Sequence, residues 1–325
     1  MPETLPTLEL YPTADPRALP YPDGFAVAAT AISALGEATR LFVRKNSATE
    51  VFGRTEEPGW ASFPKTQAND EYTALLYISD EHADQETSLK GLTATFPKVQ
   101  LLPDRETLVV GPRCKRFKDG TSELNGTVYD SQGNLKRSFV LGDGIEDVQA
   151  DRKGNIWVSY FDEGVFGNFG WGGDAVPFGA SGLTYFDLNG KRLWDFQAPS
   201  GFDSICDCYA LNVAKDSVWA HYYSDFPIVR IDASYRVRGW RPDSGGARAL
   251  AVHDRRVLLF GNFSGHPASC KLLELRGDSA ESIARVRLML PEAVDLSGAT
   301  VVGRDNEIHV VSGNDWYSFS MWALP

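Results

Sequence analysis

Short apolar and β-branched runs recur along the chain, each joined to the next by a polar turn. The clearest is Asp151-Arg-Lys-Gly-Asn155 followed by Ile156-Trp-Val-Ser-Tyr-Phe161. Gly154 and Asn155 are residues that tolerate the positive φ of a tight hairpin, and the run after them has strand chemistry. Ile156, Val158 and Tyr160 are apolar on one face of that strand, and Trp157 and Phe161 on the other. Such a strand has to be covered on both sides. From Asp162 the pattern changes to a long Gly-rich and aromatic loop, and the next strand begins at Leu183.

The hairpin is one copy of a repeat. Ile145–Trp157 is echoed by Ile205–Trp219, Ala249–Leu258 and Ala299–His309, and earlier by Val99–Val109 and, loosely, Ala28–Phe42. Phe42, Val109, Trp157, Trp219, Leu258 and His309 occupy equivalent places. A second half also repeats, as a strand ending in Asp, a turn and another strand, over Thr127–Phe139, Thr184–Trp194 and Val229–Trp240. The unit is therefore four antiparallel strands, and its period of roughly 40–65 residues suits propeller blades with variable loops.

Stacking six such sheets radially covers both faces of each and predicts an all-β, six-bladed β-propeller, with four antiparallel strands per blade. The expected blades are 25–95, 96–142, 143–198, 203–242, 246–291 and 297–325, within a single domain of 325 residues. The last blade is one strand short. Residues 1–12, with Leu5, Leu8 and Leu10, are expected to supply it, since Pro6 and Pro12 are tolerable on a strand with a free edge. Phe52 to Glu71 reads as a long polar loop.

Composition narrows the function classes. Aromatic residues at 12% and 30 glycines suit one large β domain, and a net charge of −11 argues against a nucleic acid or an anionic membrane as main partner. The start, MPETLPTLELYP, has neither a basic nor an apolar leader segment, and no apolar run is long enough to span a bilayer. A cytoplasmic protein is expected. Cys114, Cys206, Cys208 and Cys270 are too few for a disulfide framework and lack zinc-knuckle spacing; they read as small buried hydrophobes in a reducing compartment.

The D-x-x-G-N-I-W-V pattern at 151–158, echoed at Trp219 and Ile308, resembles the six-bladed propellers that include the NHL-repeat, streptogramin-lyase-like and gluconolactonase groups. WVSYFDEGVFGNFGWGG, DCYALNVAKDSVW and DFPIVRID resemble, more narrowly, a set of uncharacterised bacterial propellers. The resemblance implies the fold. The gluconolactonase group holds a divalent metal with a Glu, an Asn and an Asp, a set that no motif places in this chain. The lyases use a His with acidic help, and His82, His221, His253, His266 and His309 stand in no such context.

In a propeller the loops after the second strands gather at one face, the usual binding surface. Here they are 111–125, 162–181, 223–227, 261–269 and 312–315. Two function readings follow. In the first, the protein is a recognition module for a protein or small ligand, without a cofactor. Its contact residues are the basic cluster of Arg113, Lys115, Arg116 and Lys118, then Asp162, Glu163, Asn168, Phe169 and Trp171, with Asp225, Phe226 and His266. The alternative for the 162–173 loop is a self-packed Ω-loop, and for the basic cluster a solvated loop.

In the second reading, Asp147 and Asp207, at equivalent starts of innermost strands, join Glu146 or Asn262 in holding a divalent cation such as Ca²⁺ for a hydrolase or lyase. The structural alternative for these carboxylates is hydrogen bonding to backbone amides at blade junctions. No G-x-S-x-G and no triad pattern occurs, and the glycines of the long loop precede a strand, so they do not form a phosphate loop.

Overall fold

The apolar runs form antiparallel meanders in the computed structural model, which describes residues 5–55, 61–80, 82–243, 245–261 and 266–325. Two compact units divide the chain, Pro20–Phe196 and Met1–Leu19 with Gln197–Pro325. The architecture is an all-β propeller type, in which four-stranded meanders follow one another and bury their shared faces.

The unit of residues 20–196 contains three sheets, each with its strands in chain order. They are Phe25–Ile32, Ala38–Arg44, Gln67–Ser79 and Asp84–Ala94; Lys98–Leu101, Thr107–Val110, Gly126–Tyr129 and Leu135–Phe139; and Ile145–Ala150, Ile156–Tyr160, Leu183–Phe186 and Arg192–Asp195. Ile156–Tyr160 is buried at every position. One face packs Ile156, Val158 and Tyr160 against Leu108, Val110 and Val128 of the second sheet. On the other, Trp157 stacks on Tyr185 at 4.4 Å between centroids and meets the edge of Trp194. Each large side chain buried this way contributes about 1.5–3 kcal/mol.

The second unit carries three further meanders. The first is Asp207–Val213, Ser217–Tyr223, Ile228–Asp232 and Val237–Pro242. The next is Ala249–His253, Arg256–Phe260, Ser269–Arg276 and Ser279–Leu288, and the last contains Thr300–Arg304, Glu307–Ser312 and Asp315–Ser320. The first two are not separate sheets. Arg241 and Pro242 pair in parallel with Ser279 and Ala280, so the outer edges fuse into one nine-stranded sheet. The described residues thus form five sheets.

The strand that completes the last sheet differs from the expected one. Arg17–Ala18 pairs with Trp316 and Asp315, whereas Thr7–Leu10 runs parallel to Ser279–Leu288 in the preceding sheet. Burial explains the choice. Leu10 is 1% exposed and Leu8 partly buried against the core of that sheet, while Glu9 faces out. The ten-residue strand 279–288 offers a longer free edge than the last meander does. The expected long loop also shortens: Gln67 already opens a strand, and Ala48–Val51 forms one helical turn with Val51 buried.

Phe42, Val109, Trp157, Trp219, Leu258 and His309 each lie on the second strand of a meander and are buried. Within the second unit the innermost strands touch. Asn212 donates from Nδ2 to the Leu250 and Asp305 carbonyls, both at 2.9 Å, and accepts from the Asp305 N–H at 3.0 Å. Gly303 is obligatory here, because a Cβ would stand 1.8 Å from the Leu250 carbonyl oxygen.

The recurring Asp turns share one geometry. Asp130, Asp151, Asp187 and Asp232 each accept, through one carboxylate oxygen, the N–H groups two and four residues on, at 2.8–3.0 Å. In the Asp151 turn, Gly154 has φ +83° and a Cβ there would strike Pro103. These N–H bonds hold the Asp130 carboxyl below its ordinary range, through Asn134 foremost, and that of Asp232, through Arg236 foremost. A depressed carboxyl stabilises the fold fully above its unfolded value of 3.8 and loses that contribution as pH falls through the folded value. Asp232→Ala should therefore lower stability at pH 7 and have a much smaller effect at about pH 2, as chemical denaturation at the two pH values will report.

Candidate functional site

The loops after the second strands of the second and third sheets, residues 111–125 and 161–182, are built on a buried charge cluster. The chain leaves Thr107–Val110 through Gly111-Pro112 and turns Arg113 inward, where it is only 3% exposed. Its Nε donates to Asp143 Oδ1 at 2.9 Å and its Nη2 to Asp143 Oδ2 at 2.8 Å. The third nitrogen, Nη1, pairs with Glu163 Oε2. Asp143 is 2% exposed and also accepts the Cys114 N–H at 2.8 Å. Burial pushes the Asp143 carboxyl up, while Arg113 and the Cys114 and Gly144 N–H groups pull it down.

The Gly-rich loop closes over this pair. Asp162–Phe166 is a single helical turn, whose Asp162 side chain accepts the Glu163 N–H at 2.7 Å. Asn168 Nδ2 donates to Glu163 Oε2 at 2.9 Å. The Phe169 ring lies 4.5 Å from the Arg113 guanidinium carbon and meets Phe63 edge-on. Trp171 Nε1 donates to the Cys114 carbonyl at 2.8 Å, and the Arg116 N–H donates to the Phe169 carbonyl at 2.9 Å. The two loops are thereby locked to each other.

The structure thus brings Arg113, Glu163, Asn168, Phe169 and Trp171 together and adds Asp143. The basic cluster divides: Arg113 is buried and committed to carboxylates, Arg116 is half-buried, and Lys115 and Lys118 are exposed. Asp162 is exposed. On the same two loops Phe117, Leu124, Phe166 and Val176 are exposed, Phe166 to 64% and Val176 to 80%.

Asp225, Phe226 and His266 lie in the other unit. Asp225 is exposed, and Phe226 stacks on Tyr209 and packs against His221 and Tyr223. Both have left-handed φ, +59° and +50°, which costs roughly 1–2 kcal/mol per residue. The aromatic packing offsets that cost. His221 was not singled out in the sequence. It is buried, donates from Nδ1 to the Pro227 carbonyl at 3.1 Å, and is pushed down to about 4 by burial, so it is neutral at pH 7. His266 is half-buried and structural in its bonding: its Nδ1 accepts the Ala268 N–H at 3.1 Å.

Asp147 accepts the Val148 N–H at 2.8 Å and the Gln149 side-chain amide at 3.2 Å. Glu146 is exposed beside it, and Asp207 opens its strand in the other unit, half-buried. Among the described residues no three His, Cys, Asp or Glu side chains converge as a metal set; Asn262 lies outside the described residues. The four cysteines are free thiols, with Cys114, Cys208 and Cys270 buried. Burial raises the Cys114 and Cys270 thiols far above the reactive range.

Comparison with known proteins adds to this picture. Residues 175–319 match the model of the YxzG family, a span of less than half of the chain. No curated protein matches the sequence. Among solved structures, similarity extends to a catalytically inactive virginiamycin B lyase from Staphylococcus aureus with quinupristin, at TM-score 0.47 and 9% identity over 94% of this chain and 99% of that one. A gluconolactonase from Xanthomonas campestris is similar at TM-score 0.41 and 11% identity, over 95% and 96%. The propeller YCF48, bound to a D1 peptide, gives TM-score 0.44 and 9% identity, over 98% and 100%. At these TM-scores and identities the likenesses carry nothing about chemistry.

Asp143 escaped sequence reading because it lies 30 residues from Arg113, in a blade-to-blade turn with no motif. The signal that points to it is an acidic residue between two glycines, Gly142 and Gly144, where a close backbone approach is needed. Asp143→Ala leaves the Arg113 guanidinium buried with half its partners and should cost about 3–5 kcal/mol. The double variant Asp143→Leu with Arg113→Met should recover most of that loss, as read by denaturant unfolding of the three proteins.

Proposed function

We propose that the chain is a single six-bladed propeller acting in the cytoplasm as a recognition module, whose partner is a protein segment that is acidic and partly apolar. The six-blade count treats the nine-stranded sheet as two blades fused at their outer strands. The observation that carries the functional reading is the paired-loop platform. Two loops are tied together through a buried Arg113, and they expose Phe117, Leu124, Phe166 and Val176 as well as Lys115 and Lys118, with Lys115 over the Phe117 ring.

Apolar side chains held on a rigid support lose little entropy when they are covered. Cations beside them on an acidic protein steer an oppositely charged segment and disfavour wrong partners. The charged groups beneath the platform are engaged with one another: Arg113 with Asp143 and Glu163, and Glu163 with Asn168. That arrangement favours display over proton transfer. No cofactor enters this reading.

Two measurements test it. Synthetic peptides of alternating acidic and apolar residues should bind the protein, and Phe166→Ser with Val176→Ser should weaken them by about tenfold or more, a loss of about 1.4 kcal/mol, with an unchanged melting temperature. Equal binding by the double variant would contradict the platform. A melt with and without EDTA should give the same midpoint. A fall of several degrees on chelation would instead favour a bound cation and hence metal-dependent hydrolase or lyase chemistry around Asp147, Asp207 or Glu146.

A further inference from the structure

In the unit that contains Gln197–Pro325, the loop between Ser217–Tyr223 and Ile228–Asp232 is short and carries an aromatic ridge. Tyr223 is 47% exposed, and Phe226 and Tyr209 are half-buried. The Phe226 ring stacks on Tyr209 at 5.8 Å between centroids, with 19° between the planes, and lies 5.6 Å from Tyr223. Backbone contacts hold the ridge in place. The Cys206 N–H donates to the Tyr223 carbonyl at 2.7 Å, and the Tyr222 hydroxyl donates to the Asp203 carbonyl at 2.9 Å. Gly245 packs so closely that a Cβ there would stand 2.1 Å from Phe226 Cγ. Behind Phe226, at 5.8 Å between ring centroids, His221 is fully buried. Its Nδ1 is committed to the Pro227 carbonyl, so Nε2 is an acceptor, and among the described residues no donor reaches it.

The charge at this ridge is of one sign. Asp203 and Asp225 are exposed, and among the described residues neither carboxylate meets a cation or a hydrogen-bond donor. Asp207, half-buried, stands opposite Tyr223 in the strand pair and adds a third carboxylate. His221 is neutral at pH 7 and contributes an electron pair without a positive charge. The two arginines that flank the 243–247 turn are turned to other rings. Arg241 lies 4.2 Å over Phe202 and donates to the Gly201 carbonyl, and Arg248 lies 5.0 Å over Phe260. An aromatic face beside unmatched carboxylates attracts a cation through the ring quadrupole and through charge together. A guanidinium suits both, being planar for stacking and forked for a carboxylate. The chain uses that pairing internally, where Arg113 lies against Phe169 and two carboxylates. Tyr223, Phe226 and Asp225 offer the aromatic and acidic parts of the same pairing on the surface.

We propose that this ridge is a docking point for an arginine side chain of a partner peptide. The guanidinium stacks on the ridge formed by Tyr223 and Phe226, and its N–H groups are received by Asp225, with Asp203 and Asp207 strengthening the field. The proposal is independent of the paired-loop platform, which belongs to residues 20–196 and selects a segment of the opposite charge.

The test is calorimetric titration of the intact protein, at low salt, with a short capped peptide of glycine and alanine around one central arginine. The same peptide with citrulline, a neutral isostere, and with lysine serve as comparisons. The arginine peptide is expected to bind with a millimolar or lower dissociation constant, about tenfold tighter than the citrulline peptide and measurably tighter than the lysine peptide. Asp225→Asn removes the charge while keeping a residue that tolerates left-handed φ, and Tyr223→Leu keeps an apolar contact with Phe226 while removing the ring. Each should weaken the arginine peptide by about fivefold or more, with an unchanged melting temperature. Asp216→Asn, an equal loss of charge at the opposite end of the same meander, should leave binding as it is. The proposal is overturned if the arginine peptide does not bind at millimolar concentration, or if the citrulline or lysine peptide binds equally well. It is overturned too if either ridge variant binds as the wild type does, or if Asp216→Asn weakens binding as much as Asp225→Asn, since the attraction would then belong to the net charge alone.

Discussion

A β-sheet that is apolar on both faces is stable only when both are covered, and every other feature of this fold adapts to that requirement. Ile156–Tyr160 presents Ile156, Val158 and Tyr160 to one neighbour and Trp157 to aromatic partners on the other side. The same double-sided burial recurs in the second unit, where Leu258 and Phe260 face one cluster and Val257 and Leu259 another. Once the faces are consumed by packing, only the ends of the strands remain to carry function. Hairpin turns close one end with Asp-centred hydrogen bonds, and the longer loops occupy the other.

At that loop end, the central interaction is electrostatic. Arg113 is taken out of water and matched by two carboxylates, one of them bidentate, with Phe169 over the guanidinium. Desolvating such a group is expensive, and the gain lies in geometry more than in net stability. Asp143 belongs to a blade-to-blade turn, Glu163 to the Gly-rich loop and Arg113 to a third segment. One guanidinium with three directed nitrogens therefore fixes the positions of three stretches of chain. Phe166 and Val176 can then stay exposed on a loop that does not collapse onto them.

Much of this fold is legible in the residues themselves. The D-x-x-G-N turn at 151–155 shows both the hairpin and the strands around it, because side-chain acceptance by Asp151 and the positive φ of Gly154 are local matters. The equivalence of Trp157 with Trp219 is visible for the same reason, since both follow a local turn. The fate of the basic cluster is not legible. Arg113, Arg116 and Lys118 look alike along the chain, and only the distant Asp143 and Glu163 decide which of them is buried. Phe226 likewise reads as a display residue, whereas Tyr209, His221 and Tyr223 draw it inward.

The N-terminal segment shows the same division. Alternation of Leu8 and Leu10 with Glu9 is enough to make residues 7–10 a strand with one buried side. It does not say which free edge the strand takes, and Thr7–Leu10 chose Ser279–Leu288 while Arg17–Ala18 completed the last sheet. By itself the sequence determined the elements, their turns and the need to cover both faces, since these follow from neighbours a few residues apart. Edge partners, the fusion of two meanders into one sheet and the burial of Arg113 were decided only by the tertiary structure. Each depends on groups far apart in the chain, whose meeting no local pattern records.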